Sequence, residues 1–129
     1  MGVTLSEVKL GFNSTGVAFD STSGPIVADL RDSVVASSLS NGIVSSAGVL
    51  TSLTIDGSSI VNNYGTGIRS SGGNSYVRIG GSTISVNGIG VSTDTGGFLQ
   101  SFKNNHIAGN GTDGTPIGTF PGPDGTPLQ

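Results

Sequence analysis

Residues 53–68 read LTIDGSSIVNNYGTGI, and residues 77–91 repeat the pattern as VRIGGSTISVNGIGV. Apolar and polar side chains alternate at the start of both segments, as in a strand with one buried face. Asp56-Gly57 in one segment and Gly80-Gly81 in the other then supply a turn. A second short apolar position follows, and a third strand opens after another turn. Each repeat therefore predicts three short strands and three turns, with no room for a helix.

The repeat extends through most of the chain, because four apolar columns recur at intervals of about 24 residues. The columns are Val3, Ala28, Leu53, Val77 and Gln100; Leu5, Leu30, Ile55, Ile79 and Phe102; Leu10, Val35, Ile60, Ile84 and Ile107; and the pairs Gly16-Val17, Gly42-Ile43, Gly67-Ile68 and Gly90-Val91. A repeat of this length cannot bury a core alone, so the repeats must stack into a solenoid.

Stacking predicts one all-β domain over residues 1–117, a right-handed parallel β-helix of about five coils of about 23–25 residues. The expected coils are 1–25, 26–50, 51–74, 75–97 and 98–117. Equivalent strands should pair in parallel about 4.8 Å apart. Pro residues cannot donate to a strand ladder, so the Pro- and Gly-rich residues 118–129 are expected to form a C-terminal tail.

The composition excludes several functional classes. The chain has 129 residues, a formal net charge of −3, 23 Gly and no Cys. Without Cys, neither a disulfide scaffold nor a Cys-ligated metal site can form. Five Lys plus Arg are too few to neutralise a nucleic-acid backbone, and no apolar run reaches the length of a membrane span. We therefore expect no nucleic-acid partner, no membrane span, no cofactor and no metal.

A column of asparagines lies three residues after the column that contains Ile60. It comprises Asn13, Asn63, Asn87 and Asn110, with Ser38 in the second coil. Asn tolerates the left-handed backbone of tight turns, and stacked Asn side chains can hydrogen-bond to one another along an axis. We interpret the column as a structural asparagine ladder rather than a ligand site.

With these features the sequence resembles the right-handed parallel β-helix proteins of the pectate-lyase-like fold. It is also similar to the C-terminal coils of uncharacterised bacterial β-helix-repeat proteins. The segments that carry this similarity are Ile79-Gly80-Gly81-Ser82-Thr83-Ile84, Gly88-Ile89-Gly90-Val91-Ser92, Leu99-Gln100-Ser101-Phe102-Lys103-Asn104-Asn105 and Gly114-Thr115-Pro116-Ile117. The resemblance implies a bacterial source and agrees with an extracellular or cell-surface location. It says little about activity, because the fold hosts lyases, hydrolases, phage fibres and inert scaffolds.

The resemblance implies where an active site would lie. Lyases of this family hold calcium with a carboxylate cluster beside a basic residue, on the outward face of the sheet that contains Leu53-Thr54-Ile55. The outward columns expected there are Thr4, Asp29, Thr54, Arg78 and Ser101, and Gly2, Val27, Ser52, Tyr76 and Leu99. Only Asp29 and Arg78 are charged, and one carboxylate is too few for a calcium ion. We predict no catalytic, cofactor-binding or metal-binding residue.

Other charged residues fit a solvated surface. Arg31 should lie beside Asp56 and near Glu7, where ion pairs contribute about 0–1 kcal/mol. Asp32 and Asp56 could reach the separation of a glycosidase pair, although nearby carboxylates are common on acidic proteins. His106 shares an outward column with Lys9, Val34, Ser59 and Thr83, which indicates a solvated side chain.

Aromatic side chains are too sparse to indicate carbohydrate stacking. Phe12, Phe19 and Phe102 are expected to point inward, Tyr64 to lie in a turn and Tyr76 to point outward. We predict a non-catalytic structural or surface-binding module with polysaccharide as one candidate partner. The module is either part of a longer protein or self-associates end to end through open solenoid ends. The alternative is a fragment or degenerate relative of a polysaccharide lyase or glycoside hydrolase that acts on extended glycans.

Overall fold

The computed structural model describes residues 1–114 and 118–119. This part of the chain contains β-strands and turns, and none of its segments is a helix that could cross a membrane. The strands are β1 Gly2–Ser6, β2 Lys9–Gly11, β3 Val17–Ser21, β4 Ile26–Arg31, β5 Val34–Ala36, β6 Ile43–Ala47, β7 Thr51–Asp56, β8 Ser59–Val61, β9 Thr66–Ser71, β10 Ser75–Gly80, β11 Thr83–Ser85, β12 Ile89–Asp94, β13 Phe98–Ser101, β14 His106–Ile107, β15 Thr112–Gly114 and β16 Gly118–Thr119.

Successive strands belong to three different sheets, and every third strand returns to the same sheet. The first sheet has the order β1-β4-β7-β10-β13-β16, the second β14-β11-β8-β5-β2 and the third β15-β12-β9-β6-β3. All pairings are parallel. The predicted all-β parallel solenoid of about five coils, with three strands per coil, is confirmed.

The apolar columns form the core because the parallel register places equivalent residues directly above one another. Leu30, Ile55 and Ile79 are aligned in the first sheet, and each is fully buried. Ile60 lies between Val35 and Ile84 in the second sheet. Burial of one such side chain contributes about 1.5–3 kcal/mol, so the interior columns supply most of the driving force for stacking.

The predicted register of the fifth coil is wrong by one residue in the first sheet. Val77 pairs with Leu99, and Ile79 pairs with Ser101. Gln100 therefore points outward, and Phe102 is 41% exposed, although both were expected inside. A one-residue shift in register exchanges the two faces of a strand. The second sheet regains the expected register, since Thr83 pairs with His106.

A column of small polar residues caps the turn between the first and second sheets. The backbone N–H of Ser33 donates to the Oγ of Ser58, and that of Ser58 donates to the Oγ of Ser82. The Ser82 N–H donates to Asn105 Oδ1 at 2.9 Å. These side chains accept hydrogen bonds from N–H groups that lie between strands, so the buried turn leaves few polar groups unsatisfied.

The C-terminal boundary lies partly outside the described residues. Gly118 and Thr119 pair with Gln100 and Ser101 as the sixth strand of the first sheet, within the range predicted to be a tail. Residues 115–117 and 120–129, which include most of that predicted tail, lie outside the part of the chain that the structure describes.

Candidate binding face on the first sheet

The first sheet presents two parallel columns of side chains on its outer surface, which we call the first-sheet face. One column is Gly2, Val27, Ser52, Tyr76 and Phe98, and the other is Thr4, Asp29, Thr54, Arg78 and Gln100. Both columns run along the solenoid axis, because equivalent residues of successive coils pair in parallel. Neighbouring side chains in a column are therefore about 4.8 Å apart.

Tyr76 and Phe98 form an aromatic pair on this face. Their ring centroids are 4.9 Å apart and the ring planes differ by 1°. Leu99 was expected at the position that Phe98 occupies, and this expectation is wrong because of the register shift in the fifth coil. From the sequence alone, either Phe98 or Leu99 could face outward, because both are apolar. The pairing of β10 with β13 places Phe98 outward and Leu99 inward.

The ring stack leaves one face of Tyr76 directed toward the preceding coil. The outward residue there is Ser52, which pairs with Tyr76 across β7 and β10. Arg78 Nη1 donates a hydrogen bond to Ser52 Oγ at 3.0 Å. A small hydroxyl side chain and a guanidinium therefore lie next to the aromatic surface, an arrangement that combines apolar contact with hydrogen-bonding groups.

Arg31, at the edge of the first sheet, forms a different ion pair from the one expected. Arg31 lies beside Asp56 in the backbone register, as predicted, but its guanidinium forms an ion pair with Asp29 at 3.7 Å. Residues i and i+2 of one strand share a face, and this local neighbour replaces the expected Asp56 and Glu7. With its side chain 56% exposed, Arg31 gains little from the pair.

The two charged residues considered for catalysis remain two coils apart. Asp29 pairs with Thr54, and Thr54 pairs with Arg78. Within the described residues, no group of three or more His, Cys, Asp or Glu side chains could hold a metal ion. Asp29 and Arg78 therefore do not lie together as the acid and base of one site.

The remaining candidate residues lie on the turns and on the second sheet. Asp32 directs Oδ1 at the Gly57 turn, 2.7 Å from where a Cβ at Gly57 would lie. Asp56 belongs to the neighbouring column and approaches Gly80 instead. His106 is exposed in β14 beside Thr83, in the predicted column. Asp32 and Asp56 therefore lie over equivalent turns of successive coils, whereas His106 lies on the second sheet.

A second polar contact, on the third sheet, was not predicted from the sequence. Arg69 donates to Asp94 through both Nε and Nη2, across β9 and β12. Hydrogen bonds from Ser71 and from Arg69 hold the pKa of Asp94 below its ordinary value. The predicted coils placed Arg69 and Asp94 in successive repeats. Because residues alternate between the two faces of a strand, the sequence could have indicated that both side chains point outward and meet.

No protein-family model, curated protein or solved structure matches the chain. The class of protein is defined by the fold: a parallel β-solenoid of about five coils with three sheets. Its most distinctive surface features are the first-sheet face with the Tyr76–Phe98 stack and an exposed apolar strip on the turn between the second and third sheets.

Proposed function

We propose that this protein is a non-catalytic β-solenoid module that binds an extended polysaccharide along the first-sheet face. The observation that supports this is the Tyr76–Phe98 stack, with centroids 4.9 Å apart, beside the Arg78–Ser52 hydrogen bond. Sugar rings present apolar C–H faces and peripheral hydroxyl groups. They fit surfaces that place aromatic side chains next to a small number of polar groups.

The geometry of the face suits a linear ligand that lies across the strands. The aromatic and polar columns are parallel, and five coils span roughly 20 Å between the first and last strand. A chain of sugars along the axis contacts Thr54, Arg78 and Gln100 on one side and Tyr76 on the other. The ring face of Tyr76 on the side of Ser52 is the natural position for one stacked sugar ring.

The first-sheet face is rigid, which favours binding, because a preformed surface loses little conformational entropy when a ligand binds. The asparagine column contributes to this rigidity as an internal ladder. Asn63 and Asn87 are 1% and 3% exposed, and their amides bond to one another and to backbone carbonyls. We assign these residues a structural role rather than ligand contact.

The proposal is tested by measuring retention of the protein on neutral and uronic-acid polysaccharides by affinity electrophoresis. We expect Tyr76→Ala to weaken binding at least tenfold, since stacking on one aromatic ring contributes a few kcal/mol at most. Tyr76→Phe keeps the ring and should bind within about threefold of the native chain. Val49→Ala removes an exposed apolar side chain elsewhere and should have no effect.

Two results would overturn the proposal. If the native protein is retained by none of the polysaccharides, the face is not a glycan-binding surface. If incubation releases unsaturated products or new reducing ends, the protein is an enzyme, and the alternative of a polysaccharide lyase or glycoside hydrolase applies.

End-to-end association stays a prediction. In the first coil, Val3, Leu5, Leu10 and Val17 are only partly buried and pack against the core from one side. Stacking of another solenoid on this coil would bury them and pair the outer edge of β1, β2 and β3. The bacterial source, the cell-surface location and the relation to pectate-lyase-like proteins likewise stay predictions.

A further inference from the structure

Four large apolar side chains stand exposed in a row on the turn between the second and third sheets. Phe12, Leu39, Tyr64 and Val86 are 88%, 76%, 87% and 60% exposed. They come from four successive coils and line one open groove with a volume of about 560 Å³. We call this row the turn strip. Phe12 was expected inside the solenoid, and that expectation is wrong.

The turn strip consists of two adjacent columns. The first is Phe12, Ser37, Asn62 and Val86, which share a backbone φ between 56° and 59°. The second follows two residues later in each coil and consists of Ser14, Leu39, Tyr64 and Gly88. Large apolar residues occupy the first column in coils one and four and the second column in coils two and three.

The local backbone gives no reason for these residue types. A positive φ is unfavourable for an aromatic residue such as Phe12 and is a rare outlier for a β-branched residue such as Val86. Neither side chain gains burial in the single chain. Asn62 shows that a polar residue fits the same position. Strained positions that carry exposed apolar groups point to a function at the surface.

The hydrogen bonds and charges of the turn strip restrict its partner. Backbone N–H groups along the strip already bond to the next or preceding coil, as Val86 N does to Gly109 O and Tyr64 N to Ser38 O. An added strand therefore finds few donors there. No charged residue is among the described residues that line the groove, so a strongly charged partner gains nothing at this surface.

We propose that the turn strip docks against the turn strip of a second copy of this chain, with the two solenoid axes antiparallel. The two-fold axis lies in the interface, perpendicular to both solenoid axes, at the level of the gap between coils two and three. It places coil one of each copy opposite coil four of the other. Phe12 then faces the partner's Val86, and Leu39 faces the partner's Tyr64.

The same operation matches the remaining positions of the strip. Ser37 faces the partner's Asn62, a hydroxyl opposite an amide, and Ser14 faces the partner's Gly88, which leaves room for the large side chains beside them. Apolar groups thus meet apolar groups and small residues meet small residues. An interface formed by one surface on both subunits requires this kind of self-complementarity.

The size of the strip and the charge of the chain agree with this assignment. The aromatic side chains of Phe12 and Tyr64 can bury about 150–250 Å² each. Leu39, Val86 and the polar rim add further area, so the strip approaches the roughly 800 Å² per partner of a stable interface. The chain carries a net charge of −3, and contact through an uncharged strip keeps the acidic surfaces of two copies apart.

The first test is the molar mass of the protein in solution, measured by analytical ultracentrifugation over a range of concentrations. Contact through the turn strip should give a dimer and no larger species, because a two-fold interface closes; any end-to-end growth should persist in the double variant described next. Leu39→Ser combined with Tyr64→Ser should weaken dimerisation at least a hundredfold, whereas Val49→Ser, on a different turn, should leave it unchanged. A monomeric native protein, or an association constant that is the same in the native chain and the double variant, would overturn the proposal.

The second test uses the absence of native Cys to determine the orientation. Phe12→Cys and Val86→Cys chains are mixed and oxidised, and the expected product is a disulfide-linked dimer of one chain of each kind. Either variant alone should give little cross-linked product, because the two copies of one position lie three coils apart, about 14 Å. Efficient cross-linking of Phe12→Cys with itself would contradict the antiparallel arrangement.

Both cysteine positions are exposed, so the variants should fold, and circular dichroism provides the check. Dimerisation through the turn strip is independent of glycan binding by the first-sheet face, since the two surfaces share no residue. A variant that no longer dimerises should therefore still bind glycan, and a variant that no longer binds glycan should still dimerise.

Discussion

The side-chain amide of Asn63 donates to Oδ1 of Asn87 in the next coil at 2.9 Å. The same Asn63 nitrogen also reaches Val35 O at 3.3 Å, and its Oδ1 accepts the backbone N–H of Ser38 at 3.0 Å. Asn87 repeats the pattern toward Asn110 at 3.0 Å. Each amide thus serves backbone groups of a buried turn as well as its neighbour in the column, so the contact stabilises two coils at once.

Ser38 occupies the corresponding position in the second coil, and its buried hydroxyl has no hydrogen-bond partner among the described residues. An Asn at this position would reach Asn63 Oδ1 and the carbonyl of Leu10, as Asn63 reaches Asn87 and Val35. We expect Ser38→Asn to raise the free energy of unfolding by about 1 kcal/mol, measured by urea denaturation.

The matched control is the same substitution in an Asn63→Ala background, where the acceptor is missing. The double-mutant cycle should show that most of the gain disappears. A gain of equal size in both backgrounds would mean that the new amide bonds elsewhere.

Gly67 is required at the start of β9 by close packing rather than by its backbone angle. A Cβ at Gly67 would lie 2.7 Å from Gly90 O and 2.8 Å from Asn87 Nδ2. We expect Gly67→Ala to lower the free energy of unfolding by about 2–4 kcal/mol, as overpacking against backbone does. Thermal and urea unfolding would measure the loss.

Gly73 provides the comparison, because a Cβ there meets nothing within 4 Å. Gly73→Ala should be neutral or stabilising by up to about 1 kcal/mol, since it restricts the unfolded chain. If both substitutions lower the free energy of unfolding equally, close packing at Gly67 is not the cause of its effect.

The columns that build the core were predictable from the sequence because two periodicities reinforce one another there. Ile55 and Ile79 fit both the alternation within a strand and the interval between coils, and both are fully buried. The same holds for Ile60 and Ile84 in the second sheet. Stacking leaves one arrangement that buries all these residues, so pattern alone determines the register.

The surface features were harder to predict, because residues there are not held in one register by burial. Phe98 and Leu99 are both apolar, so the inward and outward positions in β13 depend on the turn before it, which is one residue shorter than the equivalent turn of the preceding coil. Phe12 fits an inward alternation, but its positive φ ends the strand and directs it outward. The Tyr76–Phe98 stack and the outward position of Phe12 both follow from these local backbone effects.

The Arg69–Asp94 pair should make stability depend on pH. Hydrogen bonds from Ser71 and Arg69 lower the pKa of Asp94 below the ordinary value of 3.8. A lowered folded-state pKa stabilises the fold above the unfolded-state pKa, and the contribution is lost as the pH falls through the folded-state value. Asp94→Asn should therefore be less stable than the native chain near neutral pH, and the difference should shrink below about pH 4.

Urea titrations at several pH values measure this difference. Since the Asp94 side chain is 37% exposed, we expect a small effect that added salt reduces further. A difference that stays constant across the acid range would mean that Asp94 acts through packing and not through its charge.

Val86 gives a prediction that separates the stability of the fold from the proposed contact between copies. Its φ of 58° is unfavourable for a β-branched residue, whereas Asn62 holds the equivalent position at 56° and Asn tolerates this conformation. We expect Val86→Asn to raise the free energy of unfolding by about 1 kcal/mol. The measurement is made in the Leu39→Ser, Tyr64→Ser background, so that dimer contacts do not contribute.

Val27→Asn is the control, because Val27 is 56% exposed but lies within strand β4. There Asn replaces a residue that favours extended backbone, so stability should stay the same or fall. If Val86→Asn also lowers stability in the monomeric background, the backbone strain at Val86 is smaller than its φ implies. In that case an apolar residue at this position has a role within the single chain, and the reason to assign it to a partner disappears.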